Sequence, residues 1–140
     1  MTLAYDRSDL PDRPLASLAE AVSAADALFA RARARLSERL TEGGRLSGTA
    51  LGREPHAVHW LSTYVEALRW LSGYVARQSE AGRLGEVESL LVEIAAGEYL
   101  NHIAGGIPMN QAEFVRLPEL GITREELGKF LSGPAALLLE

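Results

Sequence analysis

Three histidines and nineteen carboxylates are the groups in this 140-residue chain that could move protons or hold a metal. His56 and His59 lie three apart, with Glu54 just before them, and on a helix such a pair shares one face and could reach a single ion. Metal centres of helical bundles, however, use two Glu-x-x-His pairs and two further glutamates. Glu-x-x-His does not occur here; Glu98 and His102 are four apart. The two histidines are therefore expected in a half-buried first turn of a helix, with no metal site. Glu93 and Glu98 are the candidate pair for acid–base work. Five residues apart on a helix of 3.6 residues per turn, they point about 140° away from each other, which excludes a joint role. Glu98, Tyr99, Asn101 and His102 form a polar group near the end of an apolar helix, and buried links to the following loop are expected of them, because buried polar groups need partners.

Other chemistries lack their residues. The chain has no cysteine, which removes disulfides, zinc–thiolate sites, iron–sulfur clusters and thiol nucleophiles together. No Gly-x-Ser-x-Gly elbow, dinucleotide fingerprint or P-loop is present. Gly105-Gly106 ends a helix, the wrong end for phosphate. The run Arg31-Ala-Arg-Ala-Arg35 alternates around a helix and is expected to be a solvated face. Trp60, Tyr64, Trp70 and Tyr74 could stack on bases, but a net charge of −5 disfavours nucleic acid, so they are expected in core or at a protein interface. No catalytic, cofactor-binding or metal-ligating residue is assigned.

The elements that must position these groups are helical. At 47% hydrophobic and 24% charged, the composition is that of a globular domain able to bury a core. Leu15, Leu18, Val22, Ala25, Phe29, Ala32, Leu36 and Leu40 recur every three or four residues and predict a first helix over 14–42, stopped by Gly43-Gly44. Residues 43–55 read as a connection with room for one turn of helix, and Pro55 fits the first turn of a second helix that ends near Ala81-Gly82. That helix carries two apolar stripes, one through Val58, Leu61, Val65, Leu68 and Val75, the other through Trp60, Tyr64, Ala67, Leu71 and Tyr74. A third helix is expected over 85–104, with Val87, Leu90, Leu91, Ile94, Ala95 and Ile103 facing inward. Asn110–Glu113 resembles a capping box for one short turn, and Thr123–Glu126 is one that opens a fourth helix through about Leu131. No strand pattern is visible. The expected fold is all-α: an antiparallel bundle of three long helices with one or two short C-terminal helices, over 14–132, after a flexible tail at 1–13. Residues 133–140 read as a tail packing its leucines on the bundle, or as the start of a cut helix, with Leu139-Glu140 fitting a cloning scar. Neither a signal peptide nor a membrane span is read from the chain, and a cytoplasmic location is expected.

Two stretches, His59–Arg69 and Gly85–Val115, resemble the helical N-terminal extension of some bacterial acyl-CoA dehydrogenases, notably the methylsuccinyl-CoA dehydrogenase group. Gly97-Glu-Tyr-Leu and Gly105-Gly-Ile-Pro-Met are the most specific pieces, and the similarity runs over about 15–122. The resemblance implies a parent flavoprotein that uses FAD to oxidise an acyl-CoA thioester to an enoyl-CoA. It carries no catalytic residue onto this chain, because that family's base and its FAD and CoA contacts lie in a longer core with a β-domain. It implies an accessory domain whose wide aromatic face (Trp60, Tyr64, Trp70, Tyr74) and loop Gly105, Gly106, Ile107, Pro108 and Met109 meet the dehydrogenase core or a partner subunit. The alternative is a free-standing interaction module pairing with a second copy of itself. In either case the exposed aromatic surface is expected to self-associate weakly when alone.

Overall fold

The computed structural model describes residues 14–42 and 50–139. The expected tail at 1–13, the Gly43-Gly44 stop and Glu140 lie outside those residues. A 3-10 turn at Pro14–Ser17 leads into α1 (Leu18–Glu42), followed by α2 (Ala50–Glu80) and α3 (Glu86–Gly105). A hairpin of two-residue strands, β1 (Ile107–Pro108) and β2 (Phe114–Val115), precedes a 3-10 turn at Leu117–Leu120, α4 (Arg124–Ser132) and α5 (Ala136–Leu139). The fold is all-α, as the periodicity requires.

Cross-helix pairs show how the long helices run. Asp26, early in α1, pairs with Arg69 late in α2, whereas Arg39 near the end of α1 bonds Glu54 near the start of α2 at 2.8 Å. In turn Tyr64 meets His102, late in α3, while Tyr74 shares a groove with Ala95 a turn or two earlier. Both pairs of neighbours are therefore antiparallel. Their core holds Leu18, Val22, Ala25 and Leu28 of α1 against Val58, Leu61, Val65 and Leu68 of α2. Alanines at 21, 25, 32 and 57 are fully covered and let the two backbones approach closely.

Three features differ from the sequence reading. First, α2 begins by Ala50, so Pro55 stands inside the helix rather than in its first turn. The missing Pro55 N–H costs one intrahelical bond, offset by anchors laid down just before it. Arg53 donates to the Phe114 carbonyl at 2.9 Å and pairs with Glu119, and Glu54 takes the Arg39 bond. Second, Asn110–Glu113 caps no helix. It forms the tip of the β1–β2 hairpin, whose register pairs Ile107 with Val115 and Pro108 with Phe114. The Asn110 side-chain oxygen accepts the N–H groups of Ala112 and Glu113 at 2.9 and 3.0 Å, while its amide donates to the Glu113 carboxylate. That is the same capping chemistry in a turn that never continues. Strands of two residues are too short to leave an alternation in sequence.

Third, α3 is rotated from expectation. Its covered residues are Ser89, Val92, Ala96, Gly97, Leu100 and Ile103. Val87, Leu90, Leu91 and Ile94, expected inside, are 65%, 51%, 61% and 66% exposed. Of the expected inward set only Ile103 is buried, with Ala95 half-buried. The cause is α5. Ala135 and Leu138 are buried, and the Leu138 carbonyl approaches Gly97 so closely that a Cβ there would meet it at 2.8 Å. Only small residues on that side of α3 admit the C-terminal segment, so 133–139 packs as part of the bundle and the larger apolar side chains point away.

The Thr123–Glu126 capping box forms as expected. Glu126 N–H donates to the Thr123 hydroxyl, and Thr123 N–H donates back to the Glu126 carboxylate at 2.8 Å. That carboxylate also takes Arg31 at 2.6 Å and lies 3.8 Å from Arg35. The arginine run of α1 is thus more than a solvated face; it clamps the start of α4.

Candidate interaction surface

The candidate groups fall into two sets: an aromatic ladder between α2 and α3, and an apolar face outside α3. Along α2, residues 56, 60 and 64 follow one another at one-turn spacing. The Trp60 indole donates to His56 Nε2 at 3.1 Å, and the Tyr64 ring lies 6.2 Å from that of Trp60. Tyr64 then meets Tyr99 at 5.3 Å and stacks on His102 at 5.8 Å between centroids. Burial, with Tyr99 and Glu98 nearby, pushes the Tyr64 phenol above its ordinary value, so it is neutral at physiological pH.

This ladder revises the expectation for the polar end of α3. Asn101 donates back to the Gly97 carbonyl within its own helix, Glu98 lies 3.8 Å from His102, and His102 packs against α2. Among the described residues none of the three side chains hydrogen-bonds the following loop; only the His102 carbonyl does, accepting the Gly106 N–H at 3.0 Å. Trp60, Tyr64 and Tyr74 are half-buried and packed against the core, whereas Trp70 is 65% exposed. Ile107 and Met109 place their side chains in the core, so the loop offers only Gly105, Gly106 and Pro108 at or near the surface. Gly106 sits at φ 146°, a conformation that favours glycine and turns the chain out of α3 into β1.

Glu93 and Glu98 border a shallow pocket with Ile94, Gly97 and Leu137, with a helical turn between them. His56 accepts the Trp60 proton, and no group of three or more potential metal ligands comes together among the described residues.

What the surface can do is bind by burial. On the α2 side of α3 an open groove of about 450 Å³ is walled by Trp70, Leu71, Tyr74, Ala95 and Tyr99, with Arg77 at its rim. On the other side lies the pocket beside Leu137, itself 48% exposed. The ridge between them is Val87, Leu90, Leu91 and Ile94, a set that sequence reasoning placed inside. The available signal was that α3 carries apolar residues on more than one side, so that one apolar face had to be left for something else. Gly97 within the helix was the second signal, since glycine there costs about 1 kcal/mol relative to alanine and implies a close approach.

The starts of α3 and α4 do not suit the pyrophosphate of FAD. The first turn of α3 carries Glu86 and Glu88, and that of α4 carries Glu125 and Glu126, the wrong sign for a pyrophosphate at a helix N-terminus. No described helix is long and apolar enough to cross a membrane.

No family model matches the chain. It is 46% identical over 112 residues to (2S)-methylsuccinyl-CoA dehydrogenase of Cereibacter sphaeroides, a match that covers 78% of this chain and 20% of that enzyme. The chain thus spans about a fifth of the length of the curated relative it matches.

Proposed function

We propose, from this kinship with an acyl-CoA dehydrogenase, that the chain is a non-catalytic helical accessory domain which packs on the dehydrogenase core of its own polypeptide or on a neighbouring subunit. FAD and the acyl-CoA substrate then belong to that core, in the cytoplasm. The observation that carries the reading is the outer face of α3, with four large aliphatic side chains at least half exposed beside an exposed Trp70. A contiguous apolar face of this kind marks a binding surface. A second reading, a free-standing module that pairs with its own copy, is favoured by Trp70, an aromatic anchor of the type that dominates interface energetics.

The test is to purify the chain alone, incubate it with FAD, desalt it and assay acyl-CoA oxidation with an artificial electron acceptor. The expected result is a colourless, inactive protein. Retained flavin absorbance, or turnover, would overturn the accessory reading.

A further inference from the structure

We propose that the outer face of α3 seats an amphipathic helix whose aliphatic seam is flanked by lysine or arginine, and that this helix is not supplied by a second copy of the chain. The proposal deepens the accessory-domain reading and rests on it.

At about 100° per residue, Val87, Leu90, Leu91 and Ile94 span an arc of about 100° on α3. The arc is a ridge with a groove on either side, one walled by Trp70 and Ala95, the other by Gly97 and Leu137. A ridge between two grooves is the relief into which a second helix packs.

The charges that α3 itself carries around that ridge are of one sign. Glu86 and Glu93 follow one edge of the arc, Glu88 the other, and Glu98 stands one turn beyond Ile94. No lysine or arginine lies in α3. Elsewhere six carboxylates are matched: Asp26 and Glu66 by Arg69, Glu54 by Arg39, Glu119 by Arg53, Glu126 by Arg31 and Glu125 by Lys129. On α3 the sole ion-pair contact among the described residues is that of Glu98 with His102 at 3.8 Å. Glu86, Glu88 and Glu93, which edge the exposed apolar face, take part in no ion pair among the described residues, and Arg77 of α2 lines the adjoining groove.

Charges beside an apolar helical seam select the partner, as they do in coiled coils. A second copy brought face to face would set α3 carboxylates against α3 carboxylates, and like charges so placed disfavour docking. A seam edged by lysine or arginine meets the same rim with opposite sign.

The experiment uses this chain and two fluorescent helical peptides with one leucine seam, flanked by lysine in one and by glutamate in the other. Anisotropy at low salt is expected to show the lysine peptide binding at least tenfold tighter. Raising salt should erase the preference, Ile94→Glu should abolish binding, and Glu88→Lys/Glu93→Lys should invert the preference, with circular dichroism showing each variant folded. Equal affinity for the two peptides, binding of neither, or a tight homodimer at low salt dispersed by Ile94→Glu would overturn the proposal. Retained flavin would instead break the accessory-domain reading and leave the peptide result standing.

Discussion

The carbonyl oxygen of Leu138 lies 2.8 Å from where a Cβ at Gly97 would stand, so the contact between α3 and α5 depends on one missing methyl group. Gly97→Ala should therefore destabilise the fold by up to about 2 kcal/mol, because overpacking costs about 1–3 kcal/mol while alanine's helix preference returns about 1 kcal/mol. Gly128, inside α4 with nothing near its missing Cβ, serves as the control. There the same change should stabilise by roughly 0.5–1 kcal/mol. Urea denaturation of both variants checks the pair; two stabilised proteins would contradict the packing of α5.

The orientation of α3 is open to direct measurement. Leu100 is fully buried and Leu91 is 61% exposed. Leu100→Ala should cost about 2–5 kcal/mol through the cavity it opens. Leu91→Ala should stay within about 0.5 kcal/mol, as surface substitutions do. The reverse order would restore the inward face read from sequence.

Acid should loosen the start of α4. The backbone N–H of Thr123 holds the Glu126 carboxyl below its ordinary value, helped by the Thr123 hydroxyl and by Arg31 and Arg35. A carboxyl whose folded pKa is depressed contributes stability above its unfolded value, near 4.3, and loses it as pH falls through the folded one. Chemical denaturation between neutral pH and about pH 3 should show the decline. Glu126→Gln should be less stable at neutral pH and show a shallower acid limb; an unchanged profile would count against the clamp.

Trp60 and Trp70 should report separately. Trp60 is half-buried with its indole bonded to His56, whereas Trp70 stands in solvent. Trp70→Phe should shift the emission maximum to shorter wavelength and reduce acrylamide quenching sharply, while Trp60→Phe should do the opposite. Matching spectra for the two variants would place both indoles in one environment.

Much of this protein was determined by local sequence. The three-four spacing from Leu18 to Ala32 and from Val58 to Leu68 specifies helices whose buried face is unambiguous, because polar residues occupy the other side. Thr123 and Glu126 specify a helix start by side chains that satisfy backbone groups three residues away. Motifs in Gly97–Leu100 and Gly105–Met109 were enough to indicate kinship with an acyl-CoA dehydrogenase. Tertiary structure decided what local pattern leaves degenerate. α3 is apolar on both sides, so hydrophobicity has no preference between Val92–Leu100 and Leu91–Ile94. The choice falls to shape, since only the side with Ala96 and Gly97 lets α5 close upon the bundle. The same contact sends four aliphatic side chains into solvent within a rim of carboxylates. An exposed apolar face therefore lies where the sequence alone suggested core, while Ile107 and Met109, suggested as surface, fill that core instead.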